Sequence, residues 1–260
     1  MGFLKLYKQY KIAYKNPFHV AFDRVRNKQH IKIIAKNDKS SFWNGDKVDL
    51  YSLAVNNHLS NDDVDFFTFE NSQIQHCINF KYRYAQFIVC SIDQSSNFFG
   101  IFFGNEYKFL EPENENVIDI GTNIGDSSIY FTLNRAENVI ALDKTFYEIA
   151  LKNIKSNDLQ NRITLLNNSY GEDITLKDII KKYKFASSIL KMDSTSGEKA
   201  LLNEEEDTLK LFKRMQILCH NDYTELKNKL ENLGFTVTVE KEKTYDKNIN
   251  SNLYLYAKMK

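Results

Sequence analysis

Val117-Ile118-Asp119-Ile120-Gly121-Thr122-Asn123-Ile124-Gly125-Asp126-Ser127-Ser128, followed about twenty residues later by Val139-Ile140-Ala141-Leu142-Asp143, decides how this chain is read. An apolar run ends in an acid, two glycines stand four positions apart, a helix begins, and the next apolar run ends in a second acid. A chain leaving a buried strand for a helix must turn sharply and let its backbone approach a ligand, which glycine permits. Asp126, Ser127 and Ser128 suit the first helical turn, where acids and short hydroxyls satisfy backbone donors that lack intrahelical partners. Ser128 to Leu133 then puts apolar groups at helical spacing against a sheet. Asp143 closes the second strand, where an open α/β sheet commonly hydrogen-bonds a ribose diol. The pattern predicts a nucleotide-type cofactor site; the bland alternative is a strand-turn-helix without a ligand.

Asn123 weighs on which nucleotide is expected. A nicotinamide site would use a further glycine there to admit a pyrophosphate. S-adenosylmethionine has no pyrophosphate and carries an ammonium group, which gives Asp119 a charge to face. A Walker loop is excluded because no Gly-Lys-Ser/Thr follows. The expected cofactor residues are Asp119 at the methionine end, the loop Gly121, Thr122, Asn123 and Gly125, Asp143 on the ribose, and Asn168 on the adenine.

Composition bounds the rest. The 260 residues allow one good-sized domain with a smaller extension, and 42% hydrophobic with 13% aromatic residues supplies a sizeable core. The net charge of +1 offers no global basic field, so nucleic acid is not the expected main partner. Cys77, Cys90 and Cys219 lack Cys-x-x-Cys spacing, and their odd number suits reduced thiols and a cytoplasmic location. No apolar run approaches the roughly 18 residues of a membrane span. Residues 1–18 interleave Lys5, Lys8, Lys11 and Lys15 with Phe3, Leu4, Leu6, Tyr7 and Tyr10, without the apolar core of a signal peptide, and Gly2 lacks the hydroxyl at position 6 that myristoylation wants. That segment suits either an amphipathic helix docked on the domain or a peripheral contact with an anionic membrane.

The chain reads as an N-terminal extension, 1–110, of helix plus small sheet, and a cofactor domain, 111–260. From Gly45 to Leu110 short strands and turns are expected, including Asp65–Phe69, Ile78–Tyr82 and Ala85–Cys90. Beyond Asp143, strands are expected at Ile163–Leu166, Ser187–Asp193 and Met215–His220. Helices are expected at Phe146–Asn157, Ile174–Tyr183, Lys199–Lys210 and Tyr223–Leu233, the last ending at Gly234. Phe235–Val239 and Leu253–Ala257 alternate as two final strands, separated by the polar segment Lys241–Ser251. The implied fold is α/β, a doubly wound Rossmann-like sheet of seven strands whose last strand is antiparallel.

Ligands of such sheets sit beyond the carboxyl ends of the strands, so Asp119, Asp143, Asp193 and His220 should converge, with Asn167 and Asn168 just past the third strand. Methyl transfer from a sulfonium is an in-line displacement that needs positioning and a base for the acceptor's proton. His220 and Asp193 are the expected catalytic residues, His220 first because the unperturbed pKa of an imidazole lies near neutrality. The plain alternatives are a half-buried structural histidine and, for Asp193, a cap on the helix after Ser194-Thr195-Ser196. A magnesium-assisted variant through Asp193, His220, Asn221 and Asp222 would have a thin ligand set, and no metal is expected.

These residues carry a family resemblance. From roughly Lys28 onward the chain resembles archaeal-like members of the FkbM-type S-adenosylmethionine-dependent methyltransferases. Asp119 to Asp126 is similar to that family's Asp-x-Gly-Ala-Asn-x-Gly-Asp/Glu pattern, asparagine included. Lys191-Met192-Asp193 resembles its Lys-x-Asp strand end, Glu198 the last acid of Asp-x-Glu-Gly-x-Glu, His220 the histidine of Glu-x-His, and Gly234-Phe235 the start of its late hairpin. The resemblance implies S-adenosylmethionine as cofactor and O-methylation of a saccharide or related small-molecule hydroxyl. Thr195-Ser196 and Leu218 depart from the pattern by replacing Glu-Gly and a glutamate on the acceptor side. They keep open a binding module with weak catalysis. An RNA methyltransferase using the lysines of Lys177–Lys184 is a further alternative. The oligomeric state is not legible.

Overall fold

The computed structural model describes residues 2–57, 59, 64–66, 77–82, 85–185, 187–241 and 253–260. The chain divides into two compact units, Met1–Phe99 and Gly100–Lys260.

The first unit contains α1 (Phe3–Ala13), α2 (Pro17–Val25), β1 (Ile31–Ile34), β2 (Ser40–Trp43), α3 (Gly45–Asn56), β3 (Val64–Phe66), β4 (Ile78–Tyr82) and β5 (Ala85–Val89), and the division falls within α4 (Ile92–Gly104). β1 and β2 form an antiparallel pair, and β3, β4 and β5 an antiparallel three-stranded sheet. α1 does dock on its unit: Leu6, Tyr10 and Ala13, spaced for one helical face, are buried, and the Tyr10 hydroxyl donates to Asp49.

Two expectations for this unit are corrected. The stretch expected to hold only strands and turns contains two helices. α3 starts where the Asn44 side chain accepts from the Lys47 amide at 2.9 Å, and it buries Val48, Tyr51 and Ser52 at helical spacing despite its β-branched content. α4 starts where Ser91 Oγ accepts from the Gln94 amide while Gln94 Oε1 accepts from the Cys90 amide, a reciprocal cap. The cysteines are not all reduced either, since Cys77 and Cys90 form a disulfide. The β4–β5 register pairs Ile78 with Val89, so the residues just outside that pair face each other across the hairpin. Of the strand expected at Asp65–Phe69, residues 67–69 lie outside the described residues, as do 242–251 of the polar segment.

After the end of α4, the second unit holds a short 3-10 turn, Lys108–Leu110, and continues as β6 (Asn116–Ile120), α5 (Asp126–Leu133), β7 (Asn138–Leu142), α6 (Tyr147–Ser156), β8 (Ile163–Leu166), α7 (Leu176–Tyr183), β9 (Ser188–Asp193), α8 (Gly197–Asn203), α9 (Glu206–Leu209), β10 (Phe212–Cys219), α10 (Thr224–Asn232), β11 (Phe235–Lys241) and β12 (Leu253–Met259). The seven strands form one sheet in the order β11-β12-β10-β9-β6-β7-β8. β8, β7, β6, β9 and β10 run parallel, and β12 runs antiparallel between β10 and β11. This is the Rossmann-like sheet with an antiparallel last strand that the alternation of elements implies. The helix expected over Lys199–Lys210 is broken in two. Glu204 is extended there because its buried carboxylate accepts from the Leu176 amide at 2.6 Å and the Tyr170 hydroxyl at 3.1 Å. Lys229 Nζ donates to the Leu202 and Glu204 carbonyls left at the break, each at 2.7 Å. Among the described residues, no helix is long and apolar enough to cross a membrane.

Candidate active site at the switch point of the sheet

Strand order reverses at β6, which lies between β7 and β9, so the loops leaving β6 and β9 meet at the carboxyl edge of the sheet. Asp119 of β6 and Lys191 of β9 are register partners, and parallel pairing turns both side chains to one face. Lys191 Nζ stands 3.1 Å from Asp119 Oδ1, and Asp119 Oδ2 accepts from the Ser127 and Ser128 hydroxyls of α5, each at 2.6 Å. Asp119 is 0% exposed and Lys191 2%. Burial alone would lower the Lys191 pKa; the Asp119 and Asp193 carboxylates outweigh it and hold the ammonium form above the ordinary lysine value. Asp119 therefore meets its opposite charge inside the chain rather than at the open edge of the sheet.

The Gly121–Gly125 loop is fastened to the strand ends on both sides. The Gly121 and Thr122 amides donate to the Leu142 carbonyl at 2.9 and 3.1 Å, and the Asn123 amide donates to Asp143 Oδ2 at 2.9 Å. Gly121 has φ +71°, and a Cβ there would lie 1.9 Å from the Asp193 carbonyl oxygen, so the loops after β6 and β9 touch backbone to backbone. Gly125, at φ +85°, caps α5, and Asn123, at φ +52°, takes the left-handed conformation that asparagine tolerates. Lys191 reaches beneath this loop to the Gly121 carbonyl at 2.5 Å, and Asn153 of α6 donates to the Ile124 carbonyl at 2.8 Å. Thr122 turns inward, its hydroxyl 2.8 Å from that of Ser128.

Among the described residues, Asn123 Oδ1 and Asp126 Oδ2 are buried acceptors near this loop with no hydrogen-bond partner, and Asp119 Oδ1 has only the Lys191 ammonium facing it. Burial pushes the Asp126 carboxyl up to about 7 against the opposing charge of Lys191 and the Ser127 amide. Asp143 also accepts from the Phe146 amide at 2.7 Å, so it ties the loop to the start of α6. Burial raises its pKa from the ordinary carboxylate value against those amides. Asn168 is half-buried just past β8, one strand beyond Asp143.

A second cluster sits where β9 and β10 end. His220 follows β10 and is half-buried, its Nδ1 3.2 Å from Glu198 Oε1 and its Nε2 3.6 Å from Asp193 Oδ1. The same Glu198 oxygen accepts from the His220 amide at 2.6 Å, and Glu198 is itself buried in α8. Asp193 does not cap α8, whose cap position is Ser196. Asp222 belongs to a different structure, accepting from the Thr224 amide and hydroxyl at the start of α10. Asp193 and His220 are thus brought together as expected. Lys191 and Glu198 are the residues whose part the sequence reading missed. A lysine inside an apolar strand was the available signal, because a buried charge demands a partner.

No protein-family model matches this chain, and no curated protein matches it. Among solved structures, the chain is similar to M. jannaschii TYW2 in complex with AdoMet, at 21% identity and TM-score 0.49, over 73% of this chain and 88% of that one. It is similar to M. capricolum TrmK in complex with S-adenosyl-homocysteine, at 16% identity and TM-score 0.48, over 60% and 67%. It is also similar to precorrin-6y C5,15-methyltransferase from Geobacter metallireducens GS-15, at 15% identity and TM-score 0.45, over 60% and 87%. The chain spans 64% of the length of Sp1610 from Streptococcus pneumoniae, another chain it is similar to.

Proposed function

We propose that the chain is an S-adenosylmethionine-dependent methyltransferase acting on a saccharide or related small-molecule hydroxyl. The observation that carries this reading is how the loop after β6 spends its donors. The Gly121, Thr122 and Asn123 amides are committed to the end of β7, leaving that stretch no row of donors for a pyrophosphate. The buried side-chain atoms left without a partner there include the acceptors Asn123 Oδ1 and Asp126 Oδ2, which suit the ammonium end of S-adenosylmethionine. The motif Asp119 to Asp126 adds its resemblance to the FkbM-type enzymes.

When bound, S-adenosylmethionine supplies a methyl group activated by the sulfonium. Asp143, whose two oxygens already hold the loop and α6, has lone pairs left for the ribose hydroxyls, and Asn168 serves the adenine. Asp119 acts through Lys191: the pair fixes the loop backbone instead of touching the cofactor. Glu198 accepts a hydrogen bond from Nδ1–H of His220, which holds that tautomer and leaves the Nε2 lone pair to receive the acceptor's proton, with Asp193 beside it to stabilise the imidazolium. Glu198 is present although Thr195, Ser196 and Leu218 depart from the family pattern, so a carboxylate still orients the histidine.

Incubating the purified chain with S-adenosylmethionine labelled in its methyl group and with separate saccharide and RNA fractions tests the reading. Label in the saccharide fraction that is lost in His220→Ala supports it. Label in RNA replaces the acceptor, and cofactor binding without label in any fraction replaces the enzyme by a binding module.

A further inference from the structure

The first unit leaves a basic, apolar face open on its two N-terminal helices. With Leu6, Tyr10 and Ala13 turned inward, α1 presents Leu4 and Ile12 on the opposite side, 72% and 57% exposed, among the exposed Lys5, Lys8 and Lys11. α2 buries Val20 and Ala21 and presents Phe18, Phe22 and Val25, 56%, 45% and 47% exposed, at the i, i+4, i+7 spacing of one stripe. The Phe3 ring meets Phe18 edge-on at 5.2 Å, Phe18 stacks on Phe22 at 6.5 Å, and Arg26 lies over the Phe22 ring at 5.0 Å. The apolar edge therefore runs from one helix to the other.

Positive charge is concentrated at the same end of the chain. Residues 1–43 hold ten Lys and Arg against two Asp, a net +8, in a chain whose total is +1. The remaining residues are acidic by the difference. Lys5, Lys8 and Lys11 form no ion pair among the described residues. Water is a poor neighbour for five large apolar side chains on two adjacent helices, and the ring of cations around them is what an interfacial helix carries toward anionic headgroups.

We propose that this face of α1 and α2 docks the protein on an anionic lipid surface, with Leu4, Ile12, Phe18, Phe22 and Val25 entering the headgroup boundary and Lys5, Lys8, Lys11 and Arg26 facing the lipid charges. Three of the five apolar side chains, Leu4, Ile12 and Val25, offer no flat surface for a base to stack on, which favours lipid over RNA. The inference is independent of the cofactor reading and needs no turnover to test.

Co-sedimentation of the full chain with vesicles of phosphatidylcholine alone, or of an equimolar mixture with phosphatidylglycerol, reads the docking directly. The expected result is pelleting with the anionic vesicles and not the neutral ones. Phe18→Ser with Phe22→Ser weakens it by roughly tenfold or more, and Lys5→Glu with Lys8→Glu and Lys11→Glu abolishes it. Both variants replace outward-facing side chains, and unchanged circular dichroism verifies their folding. Absence of pelleting with anionic vesicles overturns the proposal, and so does undiminished pelleting of both variants. A gel shift with single-stranded RNA, sensitive to the lysine variant in a chain that ignores vesicles, overturns it in favour of RNA.

Discussion

Lys191 and Asp119 are register partners on adjacent parallel strands, their charges 3.1 Å apart and closed off from solvent. Removing one partner strands the other, since an uncompensated buried charge costs about 3–5 kcal/mol. Lys191→Met should lower the stability to urea by about that amount. Adding Asp119→Asn should recover a large part of it, because the Ser127 and Ser128 hydroxyls keep an acceptor. A double-mutant cycle that adds without coupling would show that the two residues act separately.

The two glycines of the loop should differ in their tolerance of alanine. Both carry positive φ, which costs a side chain about 1–2 kcal/mol. At Gly125 the new Cβ would sit 3.4 Å from Ala150, in tight contact that a small shift relieves. At Gly121 it would sit 1.9 Å from the Asp193 carbonyl oxygen, and one backbone must move. Urea unfolding should rank Gly121→Ala as the more destabilised variant. Cofactor affinity should fall with it, because Gly121 opens the loop expected to hold the cofactor.

Asp126 predicts a pH dependence of stability. Its folded carboxyl titrates at about 7 against 3.8 for the free group, raised by burial. Between those values the folded chain holds a proton that the unfolded chain has released. Its contribution is therefore complete below about 4 and is lost as pH rises to about 7, with a slope approaching 1.4 kcal/mol per pH unit. The difference in unfolding free energy between the parent chain and Asp126→Asn, followed by urea titration across that window, should show this decline. A flat difference would contradict it.

Glu198 serves two donors on His220 with one oxygen, so two substitutions separate its roles. Glu198→Gln keeps an acceptor for the amide and loses the negative charge beside the ring. It should lower kcat by roughly tenfold or more with little change in KM or folding. Glu198→Leu leaves the His220 amide without its partner and should cost about 1–3 kcal/mol of stability as well. Equal kinetics for the parent chain and Glu198→Gln would remove Glu198 from the mechanism.

The parallel sheet was legible because each of its strands ends in a polar residue after an apolar run, and each is followed by helical spacing. Asp119, Asp143, Asp193 and His220 fall at such ends, which is why they were found. The first unit was read less well: α3 and α4 depend on caps made by Asn44, Ser91 and Gln94, and their aromatic and β-branched content mimics strands. The split at Glu204 had no local signal, since it is fixed by hydrogen bonds to Tyr170 and Leu176, far away in sequence. The Cys77–Cys90 disulfide depends on hairpin register, which Cys-x-x-Cys spacing does not report. The pairing of Asp119 with Lys191 is likewise set by the strand order, which brings β9 next to β6.

Calorimetric titration of the purified chain with S-adenosylmethionine, beside a titration with NAD, tests the central claim most directly. The account predicts saturable binding of S-adenosylmethionine, none of NAD, and a loss of affinity of roughly tenfold or more in Asp143→Ala, which removes the ribose acceptor and the loop anchor together. Binding of NAD in preference, or no heat with S-adenosylmethionine from a folded chain, would contradict it.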